Sequence, residues 1–297
     1  GGGTLDTDVS YWRVNAAKYV NPPIVRGNSL YTIVDGPSWT EAEANSVKLG
    51  GHLITLETEK EHDFIYNSYS HMLGELLKAG EDSLHIGLTR NAAITTKNQA
   101  GYFDGWISGS SSEWRPEYWG IGGTGGDPGA DGEYTGLILR PADVGSWLGV
   151  WNDYPNLHSR QSKGIAEVPF IRRGDSAYVI VEGPTWEEAE ANAQKLGGNL
   201  VTINDAEENQ WLVDYFKDAN QSPYAAIDPN SPDSDIYWNG LTQATGSWEW
   251  SSKEKLNYTN WGYLAPYGNG NRGQFILEAD YRLDEPLWSD TAGKWND

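Results

Sequence analysis

Cysteine is absent from the 297 residues, and its absence removes disulfide frameworks, thiolate metal sites and cysteine nucleophiles together. Basic residues are scarce: 21 Lys and Arg stand against 42 Asp and Glu, a net charge of −21. A phosphate backbone or an anionic membrane surface is held by clustered positive charge, so this balance argues against nucleic acid and against membranes as partners. No apolar run approaches the roughly 20 residues of a membrane span, and no signal-like segment is seen at the start, where Gly1-Gly2-Gly3 reads as the interior of a longer sequence. What is plentiful is aromatic and glycine content, with 15 Trp, 17 Tyr and 35 Gly. Such a chain has material for a packed core and for long loops.

Signatures of catalysis are also missing. The five histidines (His52, His62, His71, His85, His158) show no paired zinc spacing. No phosphate-binding Gly-Lys-Ser/Thr loop occurs, no strand leads into a dinucleotide fingerprint, and nothing marks a nucleophile elbow. With 42 acids, a carboxylate pair is always available, but no feature sets two of them across a cleft. The sequence therefore reads as non-enzymatic.

An internal repeat organises the chain. Residues 29–65, SLYTIVDGPSWTEAEANSVKLGGHLITLETEKEHDFI, align without a gap on 176–212, SAYVIVEGPTWEEAEANAQKLGGNLVTINDAEENQWL, with 19 of 37 positions identical at an offset of 147. Each copy opens with a short strand (Leu30–Val34; Ala177–Val181), then Gly-Pro and a helix. Ser38 with Glu41, and Thr185 with Glu188, have capping-box spacing. Trp186, Ala189, Ala193 and Leu196 line one helical face. Gly50-Gly51 and Gly197-Gly198 end the helix, since glycine readily turns left-handed there. A short strand, HLITL or NLVTI, and a second capped helix from Thr58 or Asp205 follow. The rest is strands (IGLTR against NGLTQ, GYFDGWIS against GSWEWSS) and Gly-, Asn- and Asp-rich loops, an α+β pattern.

Both copies reach Trp-Asn-Asp, at 151–153 and 295–297. After the first comes a loop and an apolar run, Ile165–Phe170, that reads as a strand. The stretch AKYVNPPIVRGNSLY matches GIAEVPFIRRGDSAY, which follows the first Trp-Asn-Asp, so residues 1–27 read as a terminal strand segment like the end of a preceding repeat. The expected organisation is 1–27 as that segment, 28–171 as domain 1, and 172–297 as domain 2 without its last strand. Val20, Pro22, Ile24 and Val25 are the expected assembly strand, exchanged or continued between successive units; an open sheet edge invites this kind of pairing.

The order WTEAEAN…LGGHLITL, IGLT, GSWEWSS…YTNWG, a Gly/Asn loop, WND and then GIAEV resembles the C-type lectin-like fold in a cysteine-free, bacterial-type form. The resemblance implies two tandem C-type lectin-like domains, each with two helices, antiparallel strands and long loops. It also implies an extracellular or cell-surface location, and in sugar-binding members a calcium ion in the long loop. By that resemblance the calcium ligands in domain 1 are Asp127, Glu133 (or Asp131), Asn152 and Asp153. Gly129, beside Pro128, offers no side-chain ligand, and domain 2 has Ala265-Pro266-Tyr267 at the matching place, so calcium is expected in domain 1 only. Trp114, Tyr118 and Trp147 flank the long loop and are candidates to stack on a sugar or on a neighbouring domain. Two functions suit these features: a repeat unit for attachment or assembly whose partners are its own neighbours, or a calcium-dependent adhesin module whose partners are glycans or surface proteins.

Overall fold

The computed structural model describes residues 22–90, 103, 105–111, 114, 132–139, 149–216, 236–243, 246–262, 265–268, 270–277 and 292–297. The chain divides into two compact units, Gly1–Val179 and Ile180–Asp297.

The first unit starts with a hairpin, β1 (Ile24–Arg26) and β2 (Ser29–Asp35), turned by Gly27 at φ 60°. Helix α1 (Trp39–Lys48) follows because Ser38 caps it: its Oγ accepts the Glu41 N–H at 3.3 Å and donates to Glu41 Oε2 at 2.6 Å. Gly50, at φ 85°, ends the helix. Next come β3 (His52–Leu53) and α2 (Glu59–Tyr69), with Thr58 accepting from the Glu61 N–H. A 3₁₀ turn, Ser70–Met72, leads into α3 (Leu73–Lys78), which the sequence reading did not anticipate. Strands β4 (Ser83–Thr89), β5 (Gly105–Trp106), β6 (Tyr134–Ile138), β7 (Trp151–Tyr154) and β8 (Lys163–Pro169) complete the sheet. A second hairpin, β9 (Ile171–Arg173) and β10 (Ser176–Tyr178), repeats the first, with Gly174 at φ 62°.

The sheet order is β1-β2-β8-β4-β6-β7, with β3 also paired to β8 and β5 to β4. Strand β8 is its centre. It runs antiparallel to β2 over seven residue pairs, from Ser29↔Pro169 to Asp35↔Lys163. It also pairs with β3 through His52↔Glu167 and Leu53↔Ala166, and with β4 in parallel at His85↔Gly164. Ile165, Ala166 and Val168 are fully buried, as suits a strand with neighbours on both edges and a helix over one face.

The second unit contains α4 (Trp186–Lys195), α5 (Ala206–Phe216), β11 (Ile236–Thr242), β12 (Glu249–Trp250), β13 (Arg272–Ile276) and β14 (Trp295–Asn296). Its strand order is β12-β11-β13-β14. Thr185 and Asp205 cap its helices as Ser38 and Thr58 do in the first unit. Corresponding contacts recur at matching distances. Trp39 Nε1 donates to Ile86 O at 2.8 Å, and Trp186 Nε1 to Asn239 O at 2.8 Å. Glu43 accepts the Leu53 N–H and Glu190 the Leu200 N–H, each at 2.8 Å. The buried Trp151 meets Trp106 edge-on at 5.7 Å, and Trp295 meets Trp250 at 5.6 Å.

One expectation divides the copies. Leu30–Val34 lies within a seven-residue strand, whereas the strand expected at Ala177–Val181 stops at Tyr178. Asn199–Ile203 likewise forms no strand, unlike His52–Leu53. The physical reason is pairing. In the first unit these segments are strands because β8 lies against them, and among the described residues no strand lies beside Ile180–Glu182.

Beneath the first sheet, Glu61 and Glu167 share the Tyr31 hydroxyl, which stands 3.1 Å from Glu61 Oε1 and 3.3 Å from Glu167 Oε1. Arg26 Nη1 reaches Glu61 at 3.0 Å, and the Ser29 hydroxyl donates to Glu167 at 2.9 Å. Burial, reinforced by the Glu61 charge, pushes the Glu167 carboxyl above its ordinary value, against the hydrogen bonds it accepts. The folded chain thus holds this proton to a higher pH than the unfolded chain does. The contribution to stability is complete below the unfolded carboxyl value of about 4.3 and is lost as pH rises through the folded one.

Two outcomes follow. Trp39→Phe leaves the Ile86 carbonyl without its donor and should lower unfolding stability by about 1–3 kcal/mol in a denaturant titration; an unchanged midpoint would contradict the pinning role. Glu167→Gln should melt higher than the parent at neutral pH, with the gap closing as pH falls towards 4. A gap that widens on acidification would reverse the assigned sign.

Candidate functional site

The two ends of the sheets that carry Trp-Asn-Asp are the candidate site. In the first unit β7 pairs with β6 so that Asp153 faces Thr135 and Asn152 faces Gly136. Glu133 immediately precedes β6, tied by its N–H to Tyr154 O at 3.1 Å. The structure therefore brings Glu133, Asn152 and Asp153 to one strand end. Two of these side chains are already engaged there: Glu133 Oε1 pairs with Arg90 at 3.1 Å, and Asp153 Oδ2 accepts the Gly132 N–H at 3.1 Å. Asp127, Tyr118, Trp147 and Val20 lie outside the described residues.

Trp114 is half-buried and packs on the core. Its ring lies 5.6 Å from His62 and meets Trp151 edge-on at 5.5 Å. His62 in turn donates from Nε2 to Gly149 O at 2.5 Å, which fixes the imidazole beneath the loop end. Of the expected assembly strand, Pro22 precedes β1, while Ile24 and Val25 are β1 residues paired with Tyr31 and Leu30 of the same chain.

In the second unit a single carboxylate organises the loop. Asp297 Oδ1 accepts the Tyr267 N–H at 2.6 Å, and Oδ2 accepts those of Gly268 at 2.9 Å and Gly270 at 3.3 Å. The loop approaches so closely that a Cβ on Gly270 would stand 2.4 Å from the Asp297 carbonyl carbon. The Ala265–Pro266 bond in this loop is cis. Asn296, in β14, is opposite Gln274.

A calcium ion takes six to eight oxygens, anionic ones among them. The second unit does not fit that demand: Ala265 and Tyr267 carry no carboxylate or carboxamide, and both Asp297 oxygens accept backbone N–H groups. In the first unit Glu133 faces a guanidinium, and among the described residues no three acidic or histidine side chains converge as a metal group. No helix among the described residues is long and apolar enough to cross a membrane.

Two features escaped the sequence reading. Glu43 and Glu190 each fasten the segment after α1 or α4 through a backbone N–H; the signal was an acid kept at the same place in both copies. The Asp297 clamp had no signal beyond Trp-Asn-Asp itself, because its partners are backbone groups some 30 residues away. Asp297→Ala should speed hydrogen exchange at the Tyr267, Gly268 and Gly270 amides roughly tenfold, in keeping with about 1.4 kcal/mol of lost bonding. Unchanged exchange would show that the loop holds without the clamp.

Residues 182–297 match the family model described as Lectin C-type domain. A perlucin-like protein of Mytilus galloprovincialis is 29% identical over 121 residues, 39% of this chain and 63% of that protein. Asialoglycoprotein receptor 2 of Homo sapiens is 30% identical over 145 residues, 48% of this chain and 40% of that protein. The chain thus spans between 40% and 63% of the length of these two relatives. Among solved structures, the Ca2+-independent C-type lectin SPL-2 from Saxidomus purpuratus aligns with 49% of this chain and 90% of its own, at 21% identity and a TM-score of 0.36. Human lithostathine aligns with 51% of this chain and 99% of its own, at 18% identity and a TM-score of 0.35. The similarity of this chain to C-type lectin domains thus lies in residues 182–297.

Proposed function

We propose that the chain is a non-enzymatic attachment unit that works outside the cell and binds carbohydrate through the loop ends of its sheets. The observation that carries this reading is the C-type lectin domain of residues 182–297, with its loop fastened to β14 by Asp297. The matching tryptophan and glutamate contacts of the first unit support reading both units as tandem C-type lectin-like domains. The calcium-dependent form of this reading has its support in the first unit alone. There Asp127, Glu133, Asn152 and Asp153 would supply the oxygens, with Glu133 released from Arg90. In that unit Tyr118, Trp147 and the outer edge of Trp114 are the candidates for stacking on a sugar ring.

A second reading, assembly of successive units through an exchanged or continued strand, is favoured by one observation. Ile180 and Val181 are strand-like in sequence yet carry no strand partner among the described residues, and Val201 is held on one side only, its carbonyl accepting the Gly240 N–H of β11 at 2.9 Å.

Glycan-array binding of the intact chain, with and without chelator, tests the first reading. The expected result is saccharide binding that persists in chelator through the second unit, with any chelator-sensitive part removed by Asp153→Ala. Absence of binding to any saccharide under both conditions would count against a carbohydrate role.

A further inference from the structure

Four tryptophans of the second unit form a ladder that leads out of its core. Trp250 and Trp295 are fully buried and meet edge-on at 5.6 Å. Trp261 packs on Trp295 at 5.9 Å, and the backbone fixes it there: the Trp295 N–H donates to Asn260 O and the Gly262 N–H to Trp295 O. Trp248 is the outer rung. Its ring lies 5.0 Å from that of Trp261 at an angle of 57°, and both residues are only half-buried. β12 pairs Trp250 with Leu241 as β5 pairs Trp106 with Leu88. In that register the first copy's sequence has Asp104 where the second has Trp248. Packing of the repeated fold therefore does not demand an indole at this place.

The indole N–H groups supply an independent observation. Trp186 Nε1 donates to Asn239 O at 2.8 Å and Trp295 Nε1 to Asn209 Oδ1 at 2.9 Å. The Nε1 atoms of Trp248 and Trp261 have no acceptor among the described residues, and neither is sealed from solvent. The turn before Trp248 is fixed by Gly246, which at φ 90° donates its N–H to Gln243 O at 3.0 Å. The Gln243 N–H donates to Asn271 O at 3.0 Å, beside the Gly270 that Asp297 clamps. The outer rung is thus tied to the clamped loop. This end of the sheet differs from the one that β8 meets in the first unit. There the chain after Trp-Asn-Asp reaches β4 at Ser83 and His85, while β5 joins β4 at Leu88 and Thr89.

An indole face beside free N–H donors suits one class of ligand. A pyranose ring offers a flat C–H face to stack on an aromatic ring and hydroxyls to accept from an N–H. A protein partner needs roughly 800 Å² of surface on each side, and the unit's exposed large apolar residues, Tyr215, Ile236 and Tyr267, are dispersed over α5, β11 and the clamped loop. The chain's net charge of −21 selects further, favouring a neutral sugar over a uronic or sialic acid. We propose that Trp248, braced by Trp261, is a stacking platform for a neutral pyranose ring, working without a cation. The inference rests on the carbohydrate reading above and gives it a place in the second unit.

The test follows the indole N–H resonances of the intact chain in chelator, with Trp248 assigned by difference from Trp248→Phe and sugar binding read from the ligand's own signals. The probes are the methyl β-glycosides of glucose, galactose and N-acetylglucosamine, any saccharide the glycan array returns, and methyl β-glucuronide as the anionic comparison. At least one neutral probe should shift the Trp248 resonance in a saturable way, and the glucuronide should bind more weakly. Trp248→Ala should weaken binding about tenfold or more. Trp248→Tyr, which keeps a ring to stack on, should stay within about threefold of the parent. A sugar that binds without moving the Trp248 resonance, or that binds Trp248→Ala as well as the parent, overturns this platform and leaves carbohydrate binding to other loops. A resonance that moves with protein concentration and not with sugar gives the face to a second copy, and overturns the saccharide as its occupant. If no probe binds and the glycan array is blank as well, the carbohydrate reading fails together with this one.

Discussion

A strand at the centre of a sheet has hydrogen-bonding groups on both edges, and every one of them needs a partner once water is excluded. In the first unit that strand is β8, and much of the architecture depends on it. It completes β2, gives β3 its only pairing among the described residues, and meets β4 in parallel. Its glutamate accepts from Ser29, Tyr31 and Thr55, and its backbone forces glycine at position 51. Helix α1 then closes over the same region through Trp39 and Ala42. Chain order makes this arrangement a long-range one, because β8 comes more than 120 residues after β2.

The second unit obeys the same local rules with a different edge. Its capped helix, the Trp186–Asn239 bond, the Glu190 clamp and the Trp250–Trp295 contact all repeat. What these contacts hold is the unit that matches the C-type lectin model, with its loop secured from within by Asp297, where both carboxylate oxygens serve backbone N–H groups. A loop organised in this way needs no cation to hold it. It presents the surface on which the proposed carbohydrate binding relies.

Local chemistry was legible in the sequence. Ser38, Thr58, Thr185 and Asp205 announce helix starts because an N-cap acts within three residues, and Gly50 and Gly197 announce helix ends because φ is a single-residue property. The repeat of Trp-Asn-Asp was legible, but that it forms strands, β7 and β14, was not, because their pairing with β6 and β13 depends on distant backbone. What stayed hidden depends on distant backbone. The strand propensity of Ala177–Val181 matches that of Leu30–Val34, yet only the latter becomes a full strand, because pairing and not propensity decides it. Trp114, a stacking candidate from its place beside a long loop, packs against His62 and Trp151, which no spacing rule foretells. The calcium ligands expected in the first unit were drawn from resemblance, and the salt bridge from Glu133 to Arg90 shows a competing use for one of them.

The central claim is that β8 makes strands of the segments that lie against it in the first unit. Hydrogen exchange at the Ile54 amide, which donates to Ile165 O at 2.8 Å, tests it most directly, with the Val201 amide of the same chain as reference. The account predicts exchange at Ile54 slower than at Val201 by roughly tenfold or more. Equal rates at the two amides would contradict it.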